Sequence, residues 1–441
     1  MEIKKIPFTK EMKQDYTVLV PNMAPIHFEM LRAAFRADGI NAVLLSQTGS
    51  DVVETGLKYV HNDTCYPALL VIGQMICALQ SGEYDLSHTA LMISQTGGGC
   101  RASNYIFLLR KALVAAGFAD IPVISFNVSG LEKQNTGFKL HYMLIRRMLA
   151  AVVYGDALML LRNQVLPYEV NCGDAEALCR RYLEEISDKF MSGSGHTHRE
   201  LRRTVRRMCE DFAAITVNIT PKVKVGIVGE IYVKYSALAN NNLEAFLHEQ
   251  DCEVMLPGLM SFCQYCVYNS VKDYELYGGS RAKYTAYKIA LKYLCYLNDF
   301  IIDAVNEQGR FVAPEQFSEL VEGGEEIICT GCKMGEGWVL TAEITELIRN
   351  GYRNIICTQP FGCLPNHING KGMSRKIRER YPEANIVPID YDPGATRVNQ
   401  ENRIKLMIAV AREALAAETT STGTADAKEK SEDRTPETVG V

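Results

Sequence analysis

The sequence predicts an α/β protein of two lobes, each a mostly parallel sheet with helices on both faces. Three observations predict it. From Tyr16 to about Arg162, short apolar runs alternate with amphipathic helical stretches, the pattern of strands joined by covering helices. The alternation then breaks at a charged, mostly helical stretch and resumes after it. Finally, 441 residues exceed the size at which a single hydrophobic core keeps growing. The expected division is an N-terminal lobe over 1–162, a helical connector over 163–220, a C-terminal lobe over 221–417 and a disordered tail over 418–441.

The first strand is the apolar run Thr17–Val20, closed by Pro21-Asn22. The helix Ile26–Ala37 has apolar residues at Ile26, Met30, Leu31 and Ala34 and stops at Asp38-Gly39. Asn41–Ser46 is the second strand, and Pro67–Leu79 is a helix with proline in its first turn. Strand Ala90–Ser94, helix Ser103–Ala116, strand Ile121–Phe126 and a long helix to about Arg162 complete the first lobe. In the second, strand Lys222–Val228, helix Leu243–Glu249 and strand Glu253–Leu256 precede a long helix over Ala282–Val305. Strand Glu326–Cys329, helix Leu340–Arg349, strand Asn354–Cys357, helix Lys371–Tyr381, strand Asn385–Ile389 and helix Asn399–Ala416 follow. Beyond Glu418 almost nothing is apolar, so that segment has no face to bury.

Composition excludes several classes of function. Net charge is −5 and the pI about 6.0, which leaves no basic field for nucleic acid and no polybasic patch for a membrane. Met1–Phe8 lacks the apolar stretch of a signal peptide, and no window is apolar enough to span a bilayer. A cytoplasmic location is expected.

Fourteen cysteines in a reducing compartment point to metal, redox chemistry or plain burial rather than disulfides. Cys77, Cys179, Cys209, Cys252 and Cys295 lie in periodic segments and are assigned to the core. Cys65, Cys100, Cys329, Cys332, Cys357 and Cys363 lie where strands give way to helices, the edge at which open parallel sheets bind ligands. Gly97, Gly98 and Gly99 precede Cys100 and would let backbone approach a bound group closely. Helix starts after Cys65 and Cys100 favour thiolates and an anionic group. Thiolates on separate loops are what iron–sulfur clusters use. Zinc is an alternative, with Cys329-x-x-Cys332 paired to Cys263-x-x-Cys266, but more than sixty residues separate the two pairs, far beyond ribbon spacing. A thioredoxin-like pair at Cys329 and Cys332 is another.

Weaker candidates remain. His196 and His198 sit on the glycine-rich stretch Ser192–His198 and read as a solvated loop. Arg199, Arg202, Arg203, Arg206 and Arg207 would receive an acidic partner or a nucleotide, or form a solvated helix face. Val225–Ile231 opens like a nucleotide loop but lacks its third glycine.

The segments His61–Gln74, Ile93–Tyr105 and Gly335–Gly372, which include Ser94-Gln-Thr-Gly-Gly-Gly-Cys100 and Gln359-Pro-Phe-Gly-Cys-Leu-Pro-Asn-His367, resemble the C-terminal part of the large activase-related proteins of the 2-hydroxyacyl-CoA dehydratase superfamily. That superfamily also holds the dehydratase subunits and the double-cubane cluster proteins. The resemblance extends over most of 16–415. It implies cluster ligation by Cys65, Cys100, Cys357 and Cys363, with Cys329 and Cys332 ranked second. Six thiolates would suit a double cubane, two [4Fe–4S] halves joined by sulfide; four would suit one [4Fe–4S] cubane. No ATPase with phosphate-binding loops precedes Tyr16, so the resemblance implies a separate activase ATPase, carrying its own iron–sulfur cluster, as electron donor. The expected activity is ATP-activated low-potential reduction of a small molecule or an acyl-CoA. The alternatives are a 2-hydroxyacyl-CoA dehydratase component and a non-enzymatic cluster carrier or scaffold. A homodimer is the expected assembly.

Overall fold

The structure is a computed structural model and describes residues 3, 5–61, 63–96, 99–127 and 136–432, with side chains to 418. It has two sheets of four parallel strands each, covered by helices, as the alternation predicts. In the first, Thr17–Pro21 (β1), Asn41–Leu45 (β2), Thr89–Ser94 (β3) and Val123–Phe126 (β4) run in the order β2-β1-β3-β4. In the second, Val223–Gly229 (β5), Cys252–Met255 (β6), Asn354–Pro360 (β7) and Asn385–Tyr391 (β8) run in the order β6-β5-β7-β8. Every ladder is parallel. The strands read as unbroken apolar runs because both faces are covered: Val18, Leu19, Leu91, Val225, Val228, Ile355 and Ile356 are fully buried.

The helix Tyr66–Gln80 is apolar nearly all round and buried along almost its whole length, which marks a helix enclosed by the sheet and its neighbours. Gly39, at φ +80°, ends the helix Pro25–Ala37 one residue past its cap. Several helices are not expected from the periodicity, the longest of them Leu259–Tyr277, Ser50–Tyr59 and Phe317–Glu325.

One expected strand is absent. Glu326–Cys329 is a loop, because the Ile327 and Ile328 N–H groups bond back to the Gly324 carbonyl at 3.0 and 2.8 Å. They finish the helix Phe317–Glu325 instead of joining a ladder. The glycine stretch Ser192–His198 is also tighter than expected. The Tyr154 hydroxyl donates to the Gly195 carbonyl at 2.9 Å, and Arg146 donates to the His196 carbonyl at 3.1 Å. His196 is buried, and His198 Nε2 lies 2.9 Å from the Tyr293 hydroxyl. The final helix, Arg397–Glu432, runs past the Ala417 boundary. It is anchored by buried Ile404, Met407, Ile408 and Ala411, and no proline interrupts the sequence between Arg397 and Glu432. Residues 433–441 of the expected tail lie outside the described residues. No helix among the described residues is long and apolar enough to cross a membrane.

The lobes meet at Asp156, on the long helix Tyr142–Val165. Its carboxylate accepts the N–H groups of Leu259 and Met260 at 2.6 and 2.8 Å, and His27 Nε2 lies 2.8 Å away. Three elements therefore share one buried acid: the helix Pro25–Ala37 of the first lobe, the long helix, and the N-terminus of Leu259–Tyr277 in the second. Two glycines leave room for it. A Cβ on Gly155 would stand 2.2 Å from the His27 ring, and one on Gly258 would stand 2.8 Å from the Asp156 carboxylate.

A second buried acid makes stability depend on pH. Glu346 accepts the Glu315 N–H at 3.0 Å, and burial pushes its carboxyl up to about 8. The folded chain thus holds a proton that the unfolded chain releases near the ordinary carboxylate value. Stability from this group is complete below about pH 4.5 and is lost as pH rises toward 8, by at most about 1.4 kcal/mol per pH unit. Glu346→Gln keeps the acceptor and removes that slope. Urea denaturation at pH 5 and pH 8 should show the variant losing less stability than the wild type; equal losses would contradict the assignment.

Candidate functional site

Strand order reverses between β1 and β3 in the first sheet and between β5 and β7 in the second. Loops leaving neighbouring strands at such a point turn apart and open a crevice at the carboxyl ends. Cys65 is the residue before the helix Tyr66–Gln80, and Cys100 follows β3 ahead of the turn Arg101–Asn104. Cys363 follows β7, and Glu230 follows β5 directly. The two lobes approach each other here: the charges of Glu230 and Cys363 act on Cys65, those of Glu336 and Glu230 act on Cys100, and a Cβ on Gly99 would stand 2.7 Å from Met334 Sδ.

Each of these three sulfurs accepts hydrogen bonds from the chain that follows it. Cys65 receives the Ala68 N–H, and its Sγ lies 3.1 Å from the Tyr105 hydroxyl. Cys100 receives the Ala102 and Arg101 N–H groups. Cys363 receives the Asn366 N–H, and Asn366 Nδ2 donates to its Sγ at 3.3 Å. Hydrogen bonds to sulfur from the first turn of a helix are one of the means by which proteins tune bound iron–sulfur groups.

Two carboxyl groups floor the cleft. Glu230 accepts the Val233 N–H at 2.8 Å and so caps the short helix Ile231–Tyr235. Glu336 accepts the Ile231 N–H at 3.2 Å and the Asn366 side-chain amide at 3.3 Å. Burial, then the neighbouring Glu336, pushes Glu230 up to about 8, and burial raises Glu336 as well. The same burial raises the thiols. Cys65 rises strongly, Cys100 rises, and Cys363 is pushed up to about 12. Without a cation these sulfurs stay protonated at neutral pH, which makes them poor nucleophiles and argues against thiol–disulfide chemistry. A bound metal would reverse this, since coordination removes the thiol proton outright.

The other expected residues are placed differently. Cys357 sits inside β7, opposite Val228 of β5 and Pro388 of β8. It is 3% exposed within the hydrophobic core, and burial pushes its thiol up to about 12. It lies three residues short of the strand end. Cys329 and Cys332 are exposed, on the loop between Glu325 and Trp338. Cys329 Sγ accepts the Gly331 N–H at 3.3 Å, so this pair lies on an outer turn of the loop that goes on to Glu336. Gly99 meets the same loop: a Cβ there would stand 2.7 Å from Met334 Sδ. Gly97 and Gly98 lie outside the described residues.

No family profile and no curated protein matches the chain. The reading of the cleft rests on its own residues.

Sequence reasoning missed Glu230 and Glu336, and weighed Cys266 only as part of a zinc site with Cys263, Cys329 and Cys332. Glu230 ends the buried run Val225–Gly229 and Glu336 stands between two glycines, and a charged residue at the end of a buried strand is the signal that would have found the first. Cys266 is on the unexpected helix Leu259–Tyr277, one residue after the buried Tyr265. Burial, then Glu336, pushes its thiol up to about 12, although the residue as a whole is exposed. Among the described residues, no three His, Cys, Asp or Glu side chains form a group that could hold a metal ion as they stand. The donor chemistry carries the case: soft sulfurs from both lobes, backbone donors aimed at them, and thiols that need a cation to ionise.

Proposed function

We propose that this protein binds an iron–sulfur cluster in the cleft between its lobes and uses it as an ATP-activated, low-potential reductase of a small molecule or an acyl-CoA. The observation that supports the cluster is that Cys65, Cys100 and Cys363 stand on three separate loops of the two lobes, each with N–H donors on its sulfur and each under the influence of Glu230. Those residues would hold the group. When bound, it supplies one-electron transfer. So small a set of thiolates suits one [4Fe–4S] cubane better than a double cubane, which would also draw on Cys329 and Cys332 on their exposed turn.

The chain's own residues shape the chemistry around the group. The hydrogen bonds from Ala68, Tyr105, Ala102 and Asn366 fix the sulfurs and spread their charge. Burial, then the neighbouring Glu336, raises the Glu230 carboxyl and favours its neutral form, which lessens the negative charge beside the sulfurs. The acyl-CoA class, the reductase activity and the separate activase ATPase rest on the resemblance of the glycine–cysteine segments. The cationic surface for that donor would be the helix His198–Ala213, where Arg199, Arg202, Arg203, Arg206 and Arg207 are exposed. Arg202 lies over the Phe300 ring at 4.8 Å, and Arg206 pairs with Glu307 at 2.7 Å.

The test is the rate of cluster reduction by the activase plus ATP, with dithionite as control. Arg202→Glu with Arg206→Glu should slow the activase-dependent rate roughly tenfold at low salt and less at high salt, leaving dithionite reduction unchanged. An unchanged rate would remove the docking surface. Failure of any ATPase partner to reduce the wild-type cluster would replace the reductase with a cluster carrier.

A further inference from the structure

We propose that the carboxyl edge of the first sheet binds the uncharged, amide-type edge of a small ligand, an N–H donor beside an acceptor as in a nucleobase or a carboxamide. The site stands on a row of side chains that closes the four strands. In their spatial order β2-β1-β3-β4, the strands are followed within two residues by Gln47, Asn22, Gln95 and Asn127. The parallel registers align the row: Pro21 pairs with Leu45, Leu19 with Leu91, and Ser94 with Phe126. Gln74, on the helix Tyr66–Gln80, joins it, because its Nε2 donates to the Gln47 carbonyl at 2.8 Å. None of these five side chains is ionisable, so the row offers hydrogen bonds without charge. Open parallel sheets take their ligands at this edge, and strand order reverses inside the row, between β1 and β3.

The two halves of the row differ. On the β3–β4 side the groups satisfy one another: Ser125 Oγ donates to Gln95 Oε1 at 2.7 Å, Asn127 Nδ2 to Ser125 Oγ at 2.7 Å, and Gln95 Nε2 to the Ser103 carbonyl at 2.8 Å. On the β2–β1 side three oxygens, Gln47 Oε1, Asn22 Oδ1 and Gln74 Oε1, are buried with no hydrogen-bond partner among the described residues. The bond to the Gln47 carbonyl fixes which end of the Gln74 amide is oxygen, since a carbonyl only accepts. Gln74 is 2% exposed. A buried oxygen without a donor costs the fold stability, and native interiors leave few of them. Three together at a ligand-binding edge are acceptors for a donor from outside the chain. Side-chain carboxamides pair with such an edge by two parallel hydrogen bonds, as Asn and Gln do with adenine. The lack of any cation in the row argues against a phosphate or carboxylate as the recognised group. The Ser103 hydroxyl donates to the Cys100 carbonyl at 2.8 Å, so the row adjoins the turn that carries Cys100, but the site does not depend on a cluster.

The full chain is titrated with two uncharged probe pairs, adenosine against its dimethylamino analogue and nicotinamide against its N,N-dimethyl analogue, with binding read by ligand-observed NMR. Within each pair only the first compound carries the N–H donors, and the two pairs separate a nucleobase from a carboxamide. The N–H compound of one pair should bind roughly tenfold or more tighter than its dimethyl partner, because the analogue leaves the buried oxygens unpaired. Gln47→Met keeps the length of the side chain and removes an unpartnered oxygen. It should weaken that binding roughly tenfold while its melting temperature equals or exceeds the wild type's. Asn22→Ala should weaken binding to a similar degree. Binding of neither N–H compound, equal binding within both pairs, or wild-type binding by both variants would overturn the site. A fall in melting temperature in both variants without loss of binding would show that these amides serve folding, and would overturn it too. No readout needs iron. An iron-loaded chain that ignores both probes would lose this site alone, and a chain that binds a probe but takes up no iron would lose the cluster alone.

Discussion

Replacing Cys65, Cys100 or Cys363 with serine should remove most of the iron from the anaerobically reconstituted protein, in each case singly. Each change exchanges a soft thiolate for a hard hydroxyl that stays protonated, and each breaks a set of N–H···S bonds that only a thiolate uses well. The expected loss is about half or more of the wild-type iron, because cluster stability depends on all its ligands together. Cys179→Ser and Cys209→Ser serve as controls, both being core residues; their iron should be unchanged although packing suffers. Cys329→Ser and Cys332→Ser separate one cubane from two. The structure sets that pair on an exposed turn, so their iron should equal the wild type, whereas a loss of about half would argue for a second cubane. Full iron in all three cleft variants would place the group elsewhere.

The second large effect is on stability. Asp156→Ala should destabilise the protein by about 3 to 5 kcal/mol, since it strips a buried site of its acceptor and leaves His27 and two helix N–H groups unpaired. Urea denaturation measures it. The loss should be felt by both lobes, because Asp156 ties elements of each, and the helix Leu259–Tyr277 loses its anchor. A change below about 1 kcal/mol would show that water satisfies these groups and that the junction is not built on Asp156.

Much of the fold was legible in the sequence, for a physical reason that also explains the failures. A parallel sheet covered on both faces forces continuous apolar strands such as Val225–Val228 and Ile355–Ile356, and these stand out locally. Glu326–Cys329 has the same look, but whether its N–H groups join a ladder or finish a helix depends on Gly324, and no periodicity reports that. The site was legible only where chemistry and punctuation coincide. Cys65 and Cys100 stand at helix starts, and Cys363 stands among glycine and prolines. Cys357 ends a plausible strand, yet β7 continues three residues further to Pro360, and that extension is what buries it. The helix Leu259–Tyr277 was unreadable, because it mixes tyrosines, cysteines and polar residues with no apolar stripe, and its position follows from Asp156 and Tyr265, contacts that span over a hundred residues and about seventy residues of sequence.

The most direct test of the account is the count of iron and acid-labile sulfide per chain after purification without oxygen. The account predicts about four irons and about four sulfides for one cubane in the cleft. Zinc in place of iron, or no metal at all, would contradict it.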